Sequence, residues 1–121
     1  MEKNSQTREE RDALGVIAVP VEALWGAQTQ RAVENFPISG RRFGRRLIAA
    51  LGHVKGACAR ANATLGHLPA SLAEPIVAAC DEVAAGVWDA LFPIHVFQTA
   101  SGPSTNLNAN DVIANRAIQL L

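Results

Sequence analysis

The segment from residue 98 to residue 117 holds the side chains of this sequence that are best suited to bind a small molecule. Four asparagines crowd it: Asn106, Asn108, Asn110 and Asn115. Asparagine is a poor helix former because its side chain competes with the backbone for hydrogen bonds. Nevertheless the spacing predicts a helix, with Asn108, Asp111 and Asn115 on one face. Such a conflict between local preference and overall pattern tends to mark a functional or strained site.

Small residues come directly before the asparagines and predict an anion site. Ser101 and Gly102 would bring a hydroxyl and free backbone amides to a helix N-terminus. Unpaired N–H groups and the helix dipole favour a negative charge there. The alternative is an asparagine-rich helix start with purely structural hydrogen bonds, and the motif alone leaves both interpretations open.

Helices that would position this segment are predicted from apolar residues at steps of three or four. The predicted core faces are Leu47, Leu51, Val54, Cys58, Ala61 and Leu65 in one helix, and Leu72, Ile76, Cys80, Val83 and Val87 in the next. Ser71 and Glu74 have the spacing of a capping box, although Pro75 makes a start nearer Glu74 an alternative. A last helix reaches Leu121 without a stop signal and is expected to be truncated.

The N-terminal part predicts less regular structure. Residues 1–7 are expected to be disordered, residues 16–19 to form a short strand ending at Pro20, and residues 22–35 to contain a short helix. The predicted fold is therefore mainly α, with a short β-strand or hairpin near the N-terminus.

Composition excludes several classes of partner. Eleven basic residues balance eleven acidic ones, so nothing predicts binding to nucleic acid or to a membrane surface. The apolar stretches are too short to span a bilayer, and residues 1–6 lack the apolar run of a secretory signal. Cys58 and Cys80 form neither a disulfide framework nor a metal-ligand pattern, so both are expected to be buried free thiols of a cytosolic protein.

Several sequence blocks resemble, in order, the class II fumarases of the fumarase/aspartase lyase superfamily. Residues 98–102 and 106–117 resemble the family block Q-T-G-S-G-T, two variable residues, and N-M-N-x-N-E-V-I-A-N-R-A. Arg8, Glu10, Asp12 and Gly15 match its R-x-E-x-D-x-x-G opening, and residues 25–31 match W-G-A-Q-T-Q-R. The resemblance covers nearly all of residues 8–121, which it identifies as an incomplete N-terminal domain lacking the central helical bundle and the C-terminal domain.

The resemblance implies a lyase that hydrates fumarate reversibly to L-malate in the tricarboxylic acid cycle, without a metal or organic cofactor. It also implies a homotetramer whose active sites each draw on several subunits. Trp25-Gly26 and Ser101 favour fumarase over the related aspartases, which more often read Y-Y-G and A-G-T there. Two alternatives stay open: aspartate ammonia-lyase or another superfamily lyase, and a truncated domain without catalytic activity.

When the family's binding residues are matched to this sequence one by one, the resemblance implies that Ser101, Gly102 and Pro103 bind the substrate. Ser101 would hold a substrate carboxylate, and Gly102 would let the backbone approach it closely. Pro103 replaces a threonine that binds substrate in the family, and so removes a hydroxyl and a backbone donor. The family's catalytic residues have no counterpart in these 121 residues, so no catalytic residue is assigned.

Other candidate residues are given structural roles. The three histidines, His53, His67 and His95, do not match catalytic positions of the family. A basic cluster of Arg41, Arg42, Arg45 and Arg46 is expected to form a helix start or a contact between subunits. The acidic residues near the N-terminus lie too close together, among too many arginines, to predict a metal site.

Overall fold

The computed structural model describes residues 6–99 and 101–121, which form a hairpin and four α-helices. The elements are β1 (Thr7–Asp12), β2 (Gly15–Pro20), α1 (Ala27–Asn35), α2 (Arg45–Thr64), α3 (Ala70–Ala85), a single 3₁₀ turn (Asp89–Leu91) and α4 (Pro103–Leu120). The mainly α fold with a hairpin near the N-terminus is confirmed. The predicted disorder of residues 1–7 lies mostly outside the described residues, but Thr7 already belongs to β1. None of the described helices is long and apolar enough to cross a membrane.

The hairpin pairs its strands antiparallel, with Thr7 opposite Pro20 and Asp12 opposite Gly15. Asp12 closes the turn by accepting a hydrogen bond from the Leu14 amide at 2.9 Å. The same carboxylate accepts two hydrogen bonds from Arg31 of α1, at 2.9 and 3.0 Å. That bidentate pair lowers the pKa of Asp12 below its ordinary value of 3.8 and fixes α1 against the hairpin.

α1 begins at Ala27, several residues later than the predicted helical stretch, because Arg8 engages the carbonyls before it. The Arg8 guanidinium donates to the carbonyl oxygens of Pro20, Ala23 and Trp25 at 2.7 to 2.9 Å. Carbonyls that converge on one guanidinium cannot also point along a helix axis. The helix does end before Phe36-Pro37, as predicted.

The predicted core face of α2 is wrong in most of its residues, although Leu51 packs against the core as predicted. Leu47, Val54 and Leu65 are 40%, 61% and 68% exposed, and Cys58, expected to be buried, is exposed as well. The buried face consists of Ile48, Gly52, Gly56 and Ala59. The two glycines let α2 approach α3 closely: a Cβ at Gly52 would lie 2.8 Å from the Cys80 carbonyl oxygen and from the Ala84 amide nitrogen. A pattern based on large apolar side chains does not detect such a face, because glycine adds little apolar area and instead allows the two helices to pack at a short distance.

α3 begins at Ala70 after Pro69, so both the capping box at Ser71 and the start nearer Glu74 are wrong. Pro75 lies within the helix. Of the predicted face, Cys80 and Val83 are buried and Ile76 packs against the core, while Leu72 and Val87 are exposed. The helix ends at Gly86, whose left-handed φ of 91° terminates it.

One apolar cluster joins α2, α3, α4 and the loops around them. Its buried members are Leu24, Ile48, Ala79, Cys80, Val83, Phe92, Ala109, Val112, Ile113 and Ala117. Burial raises the pKa of the Cys80 thiol to about 11, so that thiol stays protonated at neutral pH. Because α4 contributes its middle and its C-terminal half to this cluster, its N-terminus is left at the edge of the domain.

Candidate functional site

The polar face of α4 is used for structure. Asn108 is fully buried and donates to the Leu91 carbonyl oxygen at 2.9 Å, and Asn115 donates to that of Leu24 at 2.6 Å. Between them Asp111 accepts hydrogen bonds at 2.9 Å from the Gly26 amide and the Thr29 hydroxyl. Each of these three side chains thus makes structural hydrogen bonds, while the buried Asn108 side-chain oxygen has no partner among the described residues.

Asp111 also supplies what α1 lacks in its own sequence. The first turn of α1 contains no acidic residue and its N-cap, Gly26, has no side chain to cap it. The Asp111 carboxylate, which comes from another helix, supplies the missing negative charge, because it accepts from the Gly26 amide and lies at the positive end of the helix dipole.

The residues of the predicted anion site lie where α4 begins, but the Gly102 and Thr105 amides there are already hydrogen-bonded within the chain. Gly102 is the N-cap and adopts a left-handed conformation, with φ of 87° and ψ of 34°. Its amide donates to the Thr99 carbonyl oxygen at 3.0 Å, which closes a tight turn. Ser101 is exposed beside it. We call Thr99, Ser101 and Gly102 the Ser101 loop.

Pro103 occupies the first position of α4 and is compatible with the helix. An amide in the first turn has no partner within the helix, and the fixed φ of proline suits this position. Proline therefore does not distort the helix start. Relative to the family's threonine, its effect is confined to the lost hydroxyl and the lost amide donor.

The two hydroxyls after Pro103 do not compensate for that loss. Ser104 is only 7% exposed, and its Oγ lies 3.3 Å from the Thr99 hydroxyl oxygen. The Thr105 hydroxyl accepts a hydrogen bond from the Gln98 side-chain amide at 2.7 Å. Ser101 is exposed, as is Thr99, whereas Ser104 is buried and Thr105 is half-buried.

A cavity of about 210 Å³ adjoins the Ser101 loop. One wall is apolar and the other is polar: Phe43, Leu47 and Leu51 face Ser101, Gly102, Thr105 and Asn106. Leu47 and Leu51, which were predicted to face the core, thus line this cavity. At the polar wall the Lys55 ammonium donates to the Asn106 side-chain oxygen at 2.8 Å, which adds a positive charge. This combination suits a small carboxylate with an apolar carbon skeleton.

Gln98 is a functional candidate that sequence reasoning missed. Its side-chain nitrogen donates to the His95 carbonyl oxygen at 3.1 Å and to the Thr105 hydroxyl, and its oxygen accepts from the Thr105 amide at 3.0 Å. Gln98 belongs to the sequence block that resembles the fumarases, but this does not distinguish it from the other residues of that block. The only further signal is a side-chain amide seven residues before a threonine.

The remaining candidates lie outside this cavity. His53 and His67 are exposed, and the Nδ1 atom of His95 is buried without a hydrogen-bond partner among the described residues. From the basic cluster, Arg45 pairs with Asp89 and donates to the Val83 carbonyl oxygen at 3.0 Å. Arg45 thereby satisfies the C-terminal end of α3. Within the described residues no group of three or more potential metal ligands comes together.

A second polar cluster stabilises the opposite end of α4. Arg116 donates two hydrogen bonds to Glu82 of α3, at 2.7 and 2.9 Å, and its guanidinium lies 5.3 Å from the centroid of the Trp88 ring. Arg116, followed by the hydrogen bond from Trp88, holds the pKa of Glu82 below its ordinary value of 4.5. These contacts fix the orientation of α4 relative to α3.

The chain belongs to a lyase family: the family described as Lyase matches residues 15–120. Within it, the chain is 61% identical over 114 residues to the class II fumarate hydratase of Halobacterium salinarum, and 57% identical over 110 residues to that of Mycobacterium tuberculosis. These matches cover 94% and 91% of this chain but 24% and 23% of the relatives. The chain thus spans about a quarter of the length of the curated relatives it matches.

Solved structures agree with this assignment. A class II fumarase from Schistosoma mansoni matches 95% of this chain with a TM-score of 0.91 at 38% identity, covering 24% of that structure's chain. A fumarate lyase:delta crystallin structure from Brucella melitensis, bound to cobalt, matches 96% of this chain with a TM-score of 0.91 at 46% identity, covering 26% of that chain. The resemblance to class II fumarases is therefore confirmed.

Proposed function

We propose that this chain is the N-terminal domain of a class II fumarate hydratase and supplies part of its substrate-carboxylate site. The reaction is the reversible hydration of fumarate to L-malate, a step of the tricarboxylic acid cycle, in a cytoplasmic homotetramer and without a metal or organic cofactor. The observation that carries the proposal is the exposed Ser101 hydroxyl beside the left-handed Gly102 at the start of α4, within the block that resembles the family.

The residues of this chain bind and orient the substrate. The Ser101 hydroxyl donates to one substrate carboxylate, and Gly102, which has no side chain, lets that carboxylate approach the backbone. The N-terminal end of α4 adds a positive potential. When the C3 proton leaves, an aci-carboxylate forms; the donors of this chain bind a substrate carboxylate in the ground state and hold it through that step, which is positioning rather than proton transfer.

Proton transfer is assigned to residues outside this chain. His53 and His67 are exposed and do not line the cavity beside Ser101, and the family's catalytic positions have no match here. We therefore propose that the 121-residue chain alone does not hydrate fumarate, because orientation without a base does not produce turnover.

Pro103 departs from the threonine that the fumarase and aspartase motifs share, and so favours a second candidate function, a lyase of the same superfamily with an altered substrate, such as an ammonia-lyase. Fumarate and aspartate are both dicarboxylates, so either would use Ser101. The missing threonine hydroxyl removes one hydrogen bond to the carboxylate that the fumarases use, worth about 1.5–3 kcal/mol when the partner is charged. An altered substrate would explain why this bond is dispensable.

A chimeric enzyme distinguishes these functions. The first quarter of the Mycobacterium tuberculosis fumarate hydratase is replaced by this chain, and fumarate hydration and aspartate deamination are measured. We expect fumarate hydration that falls on Ser101→Ala but not on Ser71→Ala, which removes an exposed serine of α3. Activity with aspartate alone would select the second candidate. A correctly assembled chimera without either activity would refute both and leave a non-catalytic domain.

A further inference from the structure

We infer that Gln98 is the positioning residue that sets the conformation of the Ser101 loop, an inference that rests on the proposed function of that loop. The Gln98 side chain joins the chain before the loop to the chain after it. Its nitrogen donates to the His95 carbonyl oxygen at 3.1 Å and to the Thr105 hydroxyl at 2.7 Å. Its oxygen accepts from the Thr105 amide at 3.0 Å. One side-chain amide thereby connects both ends of the turn that presents Ser101.

The loop backbone follows the Gln98 side chain closely. A Cβ at Gly102 would lie 3.7 Å from the Gln98 side-chain oxygen, an ordinary van der Waals distance. The left-handed φ of Gly102 and its hydrogen bond to the Thr99 carbonyl oxygen complete the turn around that amide. If the Gln98 side chain were removed, the turn would keep its internal hydrogen bond and the 3.3 Å contact between the Thr99 and Ser104 hydroxyls, but would lose both hydrogen bonds to Thr105.

Gln98 also determines which groups remain for a ligand. The Thr105 amide is one of the first-turn N–H groups that have no partner within a helix. Because Gln98 occupies it, this amide is not available to an anion, and neither is the Gly102 amide, which donates to the Thr99 carbonyl oxygen. Specificity for a carboxylate of defined position follows from this restriction, since a fully open helix start would accept anions in several positions.

The chemistry of the site requires an amide rather than a carboxylate at residue 98. The side chain must accept from the Thr105 amide and at the same time donate to the His95 carbonyl. An ionised glutamate of the same shape accepts but cannot donate, and its charge would face a carbonyl oxygen. Gln98→Glu therefore separates the two contacts, because it keeps the bond to Thr105 and loses the bond to His95. Gln98→Ala loses both.

Amide hydrogen exchange of the 121-residue chain tests the connection itself. We expect the Thr105 amide to exchange about tenfold faster or more in Gln98→Ala, and to stay protected in Gln98→Glu. Gln119→Ala is the matched control, because Gln119 is an exposed glutamine of the same helix whose side chain bonds only Arg116 in the described structure. Unchanged exchange of Thr105 in Gln98→Ala would overturn the inference.

Kinetics of the chimeric enzyme test the consequence for the substrate. We expect Gln98→Ala to raise KM for fumarate about tenfold or more while kcat changes much less, because the loop positions the carboxylate and moves no proton. Gln98→Glu should also raise KM, and more at high pH than at low pH, where the protonated acid regains a donor for His95. Gln119→Ala should leave both constants unchanged.

The outcomes separate the inference from the proposed function. An active chimera with the same KM in Gln98→Ala refutes the positioning role and leaves the proposed function standing. If the unsubstituted chimera is inactive with fumarate and with aspartate, the proposed function fails and the positioning role fails with it. A fall in kcat at constant KM would also overturn the inference, because it would place Gln98 in the chemical step.

Discussion

Gly52→Ala tests the close contact between α2 and α3 on which the fold depends. A Cβ at Gly52 would lie 2.8 Å from two backbone atoms of α3, the Cys80 carbonyl oxygen and the Ala84 amide nitrogen. Backbone atoms cannot rotate away as side chains can, so the two helices would have to separate. Overpacking of this kind costs about 1–3 kcal/mol, and the separation also loosens the core around Cys80.

The same substitution has an opposing effect that must be subtracted. Alanine is favoured over glycine within a helix by about 1 kcal/mol, since glycine loses more conformational freedom on folding. The net expectation for Gly52→Ala is a destabilisation of up to about 2 kcal/mol, a fall in Tm of up to roughly 8 °C for a domain of this size. The overpacking wins because both contacted atoms belong to backbone.

Gly56→Ala is the matched variant, one turn further along the same helix. Its Cβ would lie 3.2 Å from the Cys80 Cβ and 3.3 Å from a terminal nitrogen of Arg60, which is flexible. We expect this substitution to destabilise the domain less than Gly52→Ala by about 1 kcal/mol or more, because no backbone atom of α3 is contacted and the Cys80 Cβ has to give by only a few tenths of an ångström. Urea unfolding followed by circular dichroism measures both variants. Equal stability of the two variants would refute the reasoning, because helix propensity cancels between them and only the interhelical contact differs.

The remaining predictions concern single side chains. In the chimeric enzyme, Pro103→Thr should lower KM for fumarate or raise turnover about tenfold, and equal kinetic constants would show that the threonine is dispensable. An alkylating reagent at neutral pH should label the exposed Cys58 and spare the buried Cys80, whose pKa is about 11, as peptide mass mapping would show. Arg116 lowers the pKa of Glu82, so this pair stabilises the fold above the ordinary value of 4.5 and is lost as the pH falls through the lowered pKa. Urea midpoints between about pH 7 and pH 3 should accordingly fall less steeply for Glu82→Gln, and parallel curves would contradict this.

Element positions were predictable from the sequence because periodicity and breaking residues are local signals. The strand before Pro20 and the end of α1 before Phe36-Pro37 were found in this way. The faces of α2 were not, because the pattern counted large apolar side chains whereas burial there depends on Gly52 and Gly56. A glycine face can only be recognised when the partner helix is known.

The candidate site was predictable in part. The Ser101 loop follows from small residues before a helix and from the family block, and the structure brings Ser101, Gly102 and Pro103 together at the start of α4. The role of Gln98 was not predictable, because its three hydrogen bonds depend on the path of the turn between residues 98 and 105. Contacts that depend on the conformation of a turn cannot be predicted from the sequence alone.

The polar residues of α4 show how a helix can be locally unfavourable and still be well placed. Asn108 and Asn115 weaken the helix, but each donates to a main-chain carbonyl far away in sequence, at Leu91 and Leu24. Asp111 adds a third attachment, at the N-terminus of α1. These three groups of hydrogen bonds lie at different positions along α4 and reach different segments of the chain. Together they fix both the rotation of the helix about its axis and its position along that axis. The position of Ser101 at its start is therefore set by the whole domain, and the conflict between propensity and pattern marks the residues that fix this helix in place.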